Sequence, residues 1–168
     1  MAYYFIFAKL SNCSLEKIAD NDAEKSKLEK FFPEGKSVEC NATDFNNVKT
    51  FLKKCSLDSN GNVVLEDSEE SFIFSKDTTD ELTNENITIT YSESDLQKRF
   101  QSIIDTQIEE VSNYIKANGS NADTDWKTYL DKLKSINVSS LTFPIDKPFQ
   151  SWFLEQEGVP NKSILQLP

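Results

Sequence analysis

The apolar residues from position 96 onward recur every three or four residues, and this spacing constrains the fold more than any other feature of the chain. Side chains at that spacing share one face of an α-helix. The series comprises Leu96, Phe100, Ile103, Ile104, Ile108, Val111 and Ile115. Ser94 and Gln97 match a capping box at its start, and Asn118-Gly119 is typical of a helix end. The pattern predicts one helix of about 24 residues, roughly 36 Å long.

A second helix is predicted to begin near Asp123. Its apolar face would consist of Trp126, Tyr129, Leu130, Leu133 and Ile136. Because the linker Asn-Gly-Ser-Asn between the two helices is short, they should form an antiparallel hairpin over residues 92–140.

The first 91 residues carry strand and turn signals as well as short helical patterns. Aromatic and β-branched runs predict strands at 3–10, 37–40, 63–65, 71–75 and 87–91, with a tight turn at Asn60-Gly61. Three helices are predicted: a short one capped by Ser14 and carrying Leu15 and Ile18, a second after Asn21-Asp22, and a third capped by Thr43 and carrying Phe45, Val48, Leu52 and Cys55. Residues 1–91 therefore read as a small α+β domain, and the whole chain as α+β.

The C-terminal segment, residues 141–168, is predicted to be a docking tail. Pro148 suits the first turn of a short helix that carries Phe149, Trp152 and Phe153 on one side. Since chain ends are usually polar and frayed, an apolar end must pack on its own domain or on a neighbour. We expect a chain without residues 149–168 to stay folded and to lose its partner.

The charge of the chain disfavours two classes of partner. The formal net charge is −10, and residues 58–95 hold eleven acidic residues and one base, Lys76. Nucleic acid and anionic membrane surfaces would repel such a chain. The acidic segment is either a set of solvated loops or a mimic of a polyanion that occupies a basic partner.

The composition also offers little for catalysis. The chain has no histidine and four glycines, so it lacks the commonest general base and any phosphate-binding glycine loop. Its three cysteines have no metal-ligand spacing, and they suggest buried, reduced thiols. We predict no enzyme activity, no cofactor and no metal site, with a carboxylate-based hydrolase as a minor alternative. Without a signal peptide or an apolar run long enough to span a bilayer, synthesis in a cytoplasm is expected.

The C-terminal residues resemble a known family. The helix pattern Trp-x-x-Tyr-x-x-x-Leu at Trp126, Tyr129 and Leu133, then Phe143-Pro144 and the end of the chain over 152–168, is similar to tail-fibre assembly and tail-assembly-chaperone-like proteins of tailed bacteriophages, and to some virion structural proteins. The chain has Leu130 where that pattern usually has Arg, and Lys134-Ser135 where it has Arg-Asp.

The resemblance implies a non-enzymatic structural component of a phage virion, in the tail, baseplate or neck. The protein would be made in the host cytoplasm and bind other phage structural proteins within a multi-subunit assembly. One alternative is an assembly chaperone that is not retained in the particle, and another is an acidic inhibitor acting by charge mimicry. The predicted protein-interaction residues are Trp126, Tyr129, Leu133, Phe149, Trp152, Phe153, Leu165, Leu167 and Pro168.

Overall fold

The N-terminal part of the chain forms a curled, five-stranded antiparallel sheet in a computed structural model that describes residues 1–168. Its strands are β1 (Tyr3–Phe7), β2 (Cys13–Ala19), β3 (Lys36–Cys40), β4 (Lys53–Leu57) and β5 (Val63–Asp67). They lie in the order β3-β1-β2-β4-β5, so β3 and β5 are the two edges. A turn at Gly61, whose φ is +76°, joins β4 to β5 as the Asn-Gly signal predicts.

Two short helices cover the two faces of this sheet. Helix α1 (Asp22–Glu29) begins at Asn21, whose side chain accepts a hydrogen bond from the Glu24 amide, and it packs Leu28 against Ile6 and Ala19. Helix α2 (Ala42–Lys49) begins at Asn41 in the same way. It covers the concave face, where a separate core forms from Phe5, Phe7, Ile18, Phe45, Val48, Cys55 and Leu57.

A second, two-stranded sheet follows. It consists of β6 (Ser75–Thr79) and β7 (Asn86–Thr90), paired antiparallel to each other and to no other strand. We call residues 75–90 the arm.

The rest of the chain is helical and forms the largest core. The helices are α3 (Glu93–Asn118), α4 (Thr124–Lys134) and α5 (Phe149–Leu154), and α3 packs against α4. Fifteen buried residues make up this core, contributed by all three helices and by Phe72, Val138, Phe143, Ile145 and Leu167. The bridge between Phe72 and Ile145 ties the segment before the arm to the segment before α5. None of the helices is both long and apolar enough to cross a membrane.

The α+β class and the helices at 93–118 and 124–134 are confirmed, but the predicted helix around Leu15 and Ile18 is wrong. Both residues lie in β2, opposite Phe7 and Phe5 of β1. The register shifts between Ile6 and Phe7, and this bulge inserts one extra residue into β2. Leu15 and Ile18 therefore face the same core although they are three positions apart, a spacing that imitates a helix.

Two helix boundaries also differ from the prediction. Helix α2 ends at Lys49, because Phe51 adopts a positive φ of 63° that a helix cannot continue through. Leu52 is consequently exposed and Cys55 belongs to β4. The capping box of α3 is formed by Ser92 with Asp95, two residues earlier than Ser94 with Gln97.

Candidate protein-interaction surfaces

The structure places most of the predicted interaction residues inside the protein. Trp126, Tyr129, Leu133, Phe149, Phe153 and Leu167 are all buried in the helical core. Tyr129 packs edge-to-face against Phe153 and Trp126, with 4.9 Å and 5.1 Å between the ring centroids, and Phe149 stacks on Phe153 at 5.4 Å. Such contacts stabilise a core and leave no exposed aromatic surface for a partner. The expectation that these six side chains form a contact surface is therefore corrected.

A closed triangle of hydrogen bonds joins the three helices in this core. The Tyr129 hydroxyl donates to Oε1 of Gln107 at 2.7 Å, Nε2 of Gln107 donates to Oε1 of Gln150 at 3.1 Å, and Nε2 of Gln150 donates back to the Tyr129 hydroxyl at 3.1 Å. Both glutamines are buried, and burial raises the pKa of Tyr129, so the phenol stays protonated and able to donate. The triangle fixes α5 against the hairpin of α3 and α4.

The remaining three predicted residues are less buried. Trp152 is half-buried and packs edge-on against Phe100, with ring centroids 5.0 Å apart. Leu165 is half-buried and contacts the core beneath the concave face of the sheet. Pro168 is exposed.

Polar contacts fasten residues 161–167, which we call the strap, to the N-terminal part of the protein. The Lys49 ammonium donates to the carbonyl of Asn161 at 2.9 Å, and Lys162 pairs with Glu24 at 3.1 Å. Gln166 donates to Asp20 at 3.3 Å. Desolvation acts to lower the pKa of Lys162, but its hydrogen bond and charge interaction with Glu24 outweigh that effect and raise the pKa. The ion pair is thus maintained at neutral pH.

The tail is consequently an internal part of the fold. Its aromatic residues complete the helical core, and the strap spans from that core to α1 and α2. The apolar C-terminal residues dock on their own chain, which is one of the two outcomes that their sequence allowed. The predicted boundary at residue 141 does not separate two cores.

The arm carries three of the eight exposed large apolar side chains of the structure. Leu82, at its tip, is 94% exposed, and Ile87 and Ile89 on β7 are 40% and 37% exposed. Every residue of β7 is exposed. The sequence signals the strand through the alternation Ile87-Thr88-Ile89, but not that both of its faces meet solvent.

Several acidic residues of the segment 58–95 have local structural roles. Asp58 accepts hydrogen bonds from the amides of Asn60 and Asn62 in the β4–β5 turn, and Asp80 caps the arm's loop at Leu82 and Thr83. These backbone hydrogen bonds lower the pKa of both carboxyl groups. Part of the negative charge is therefore used to hold turns.

A groove lies between the two edge strands of the curled sheet, and we call it the edge groove. It has a volume of about 770 Å³ and is lined by Phe5, Val38, Glu39, Cys40, Asn41, Asp44, Val63 and Leu65. No backbone hydrogen bond joins β3 to β5. At one end the two edges are bridged by the Lys36 ammonium, which donates to the carbonyl of Gly61 at 2.6 Å. Sequence patterns contain no signal for this groove, since it depends on the order of the strands.

The thiols near the concave core are held in the neutral form. Burial raises the pKa of Cys40 and that of Cys55 to about 12. No three side chains of the His, Cys, Asp and Glu types lie together as a metal site would need.

Comparison with known proteins adds no relative. No protein-family model matches the chain, and neither a curated protein nor a solved structure is significantly similar to it.

Proposed function

We propose that this protein is a non-catalytic structural component of a tailed-phage virion and that it attaches to a neighbouring subunit through the arm. The observation that carries the proposal is the exposure of the arm, with Leu82 at 94% at its tip. The resemblance of residues 126–136, Phe143-Pro144 and residues 152–168 to the sequence pattern of phage tail proteins supports the tail, baseplate or neck as its place.

The arm has the physical character of a contact element. A two-stranded sheet alone in water is only marginally stable, and it gains stability when a face is covered. On β7, Ile87 and Ile89 project from the same face because they are two residues apart. Together with Leu82 at the tip, they leave three apolar side chains exposed on an element that contributes no residue to any of the cores. A neighbouring subunit that covers this surface would order the arm and exclude water from it.

The polar residues of the arm favour specific docking over general adhesion. Asp77 accepts a hydrogen bond from the Thr88 hydroxyl at 2.7 Å, and Lys76 pairs with Glu69 at 2.7 Å. Charged residues on exposed strands discourage unspecific edge pairing. The partner should therefore present an apolar patch with a basic rim, which suits the acidic character of residues 58–95.

An assembly chaperone is the second candidate, supported by the same resemblance. Mass spectrometry of purified particles separates the two candidates. A structural component is expected in the particles at a fixed copy number relative to a known tail protein. A protein that is abundant in infected cells and absent from particles would be a chaperone, and the structural proposal would then be rejected.

Substitution at the arm's tip tests the contact itself. Leu82→Asp should reduce incorporation into particles about tenfold or more, since a charge at a covered apolar contact costs at least 1.4 kcal/mol. Leu10→Asp is the matched control, because Leu10 is also an exposed leucine in a loop, at 65%. Both variants should unfold at the temperature of the unchanged protein. Equal incorporation of the two variants would show that the arm is not the contact.

A further inference from the structure

The curled five-stranded sheet is open between its two edge strands. Its two edges, β3 and β5, flank the edge groove, and neither has a hydrogen-bonding partner on its outer side. Unpaired edges present rows of free N–H and C=O groups and are templates for another strand. We propose that the edge groove binds an extended, basic segment of a partner protein as a sixth strand between β3 and β5.

The strand directions favour one inserted strand. Each neighbouring pair in the order β3-β1-β2-β4-β5 is antiparallel, so β3 and β5 run in the same direction. A single strand running the opposite way would be antiparallel to both edges at once. Each edge strand has five residues, so the inserted segment would be about five residues long, close to the commonest strand length.

The floor of the groove suits alternate side chains of such a strand. Val38 on β3 and Val63 and Leu65 on β5 are partly buried and contact the core beneath the concave face. Because side chains alternate along a strand, every second residue of the segment would point onto this floor and the others toward solvent. The volume of about 770 Å³ lies within the range of sites that enclose a ligand.

The charges around the groove select a basic partner. Glu39 and Asp44 line it, and Glu66 lies on the β5 edge strand, whereas Asp67 on the same strand is already paired with Lys53. The nearby cation Lys36 is already bonded to Gly61 at the closed end. A second copy of this chain, with a net charge of −10, would be repelled. Lysine or arginine residues at the ends of the inserted segment would instead meet carboxylates.

The inference does not rest on the arm or on the phage assignment, since the groove lies in the N-terminal sheet. Its test uses the full chain with the segment Lys-Val-Thr-Val-Thr-Val-Lys joined to the N-terminus by a flexible glycine-serine linker. The linker raises the effective concentration of the segment to the millimolar range. Hydrogen exchange followed by mass spectrometry should show the amides of both β3 and β5 exchanging about tenfold more slowly than in the unmodified chain.

Two matched segments give the controls. Replacing the threonines by proline removes backbone N–H groups and should abolish the protection. Replacing both lysines of the segment by glutamate should weaken the protection of β3 and β5 several-fold. In a chain that carries both Glu39→Gln and Asp44→Asn, the lysine and glutamate segments should protect the two strands equally.

Three results would overturn the inference. The first is protection of neither edge or of one edge alone, and the second is equal protection by the proline-containing segment. The third is protection of β3 and β5 in the unmodified chain that increases with protein concentration, which would assign the groove to a second copy of this chain.

Discussion

Replacing Tyr129 by phenylalanine should destabilise the protein far more than the loss of one hydroxyl suggests. The hydroxyl is the only partner of Oε1 of Gln107, and it accepts a hydrogen bond from Nε2 of Gln150. Its removal leaves two buried polar atoms to be satisfied in a core from which water is excluded. Each unsatisfied atom costs about 1 to 3 kcal/mol, so we expect a loss of about 2 to 6 kcal/mol in the free energy of unfolding.

The measurement is urea denaturation followed by circular dichroism. With an m-value of about 2 kcal/mol per M, the urea midpoint of Tyr129→Phe should fall by about 1 to 3 M. Tyr114→Phe is the matched control, because the Tyr114 hydroxyl accepts a long hydrogen bond of 3.4 Å near the surface. Water can replace that bond, so the free energy of unfolding of Tyr114→Phe should fall by less than about 0.5 kcal/mol.

A triple variant tests the cause. Gln107→Leu, Tyr129→Phe and Gln150→Leu together remove every member of the triangle, and removal of all the partners is close to neutral when the shapes are similar. The triple variant should recover most of the stability that Tyr129→Phe loses. The reasoning is refuted if Tyr129→Phe behaves like Tyr114→Phe, or if the triple variant is less stable than the single one.

Three further outcomes are expected. Deleting residues 149–168 should abolish cooperative unfolding, contrary to the expectation from sequence. Each buried phenylalanine that is lost costs about 3 to 5 kcal/mol, and the whole free energy of unfolding of a protein is about 5 to 15 kcal/mol. A sharp near-ultraviolet dichroism spectrum of the shortened chain would contradict this. The hydrogen bond that Tyr4 donates to Asp22 at 2.6 Å raises the pKa of Tyr4 to about 12. That contact stabilises the fold fully below a pH of about 10, the ordinary pKa of tyrosine, and its contribution is lost as the pH rises from there to about 12. A titration of tyrosine absorbance should show a component near pH 12 in the unchanged protein and lose it in Tyr4→Phe. Iodoacetamide should alkylate Cys40 and Cys55 slowly in the native protein and rapidly in urea, because their raised pKa leaves little thiolate; equal rates in both conditions would show that the thiols are not protected.

The sequence predicted a helix well where its apolar residues all lie on one face. Helix α3 follows its apolar series almost from end to end, yet the buried seam runs through Gln107 and leaves Ile108 half-buried. A glutamine at that position reads as a surface residue until its partners on α4 and α5 are known. The helix predicted around Leu15 and Ile18 was wrong for a related reason. The bulge in β2 places two core-facing residues of a strand three positions apart, which is also the spacing of a helix face.

Tertiary packing also determines which of the predicted interaction residues are accessible to a partner. Trp126, Tyr129 and Phe153 have the residue types of a protein interface, but aromatic residues serve cores and interfaces alike. Only the packing of α5 against the hairpin shows that they are internal. The exposure of the arm and the edge groove were beyond prediction, because both depend on which strands remain unpaired and not on any local pattern.

The strap has a consequence for the order of events during synthesis. Its contacts with Asp20 and Glu24 join residues 146, 142 and 138 positions apart in the chain. On the ribosome, the N-terminal sheet can form early, but Asp20 and Glu24 cannot receive these contacts until Lys162 and Gln166 have emerged. The contacts between the strap and the N-terminal part of the protein can therefore form only after the strap has been synthesised. Chains truncated before residue 161 lack these contacts, so protease should digest them at α1 faster than chains that contain the strap.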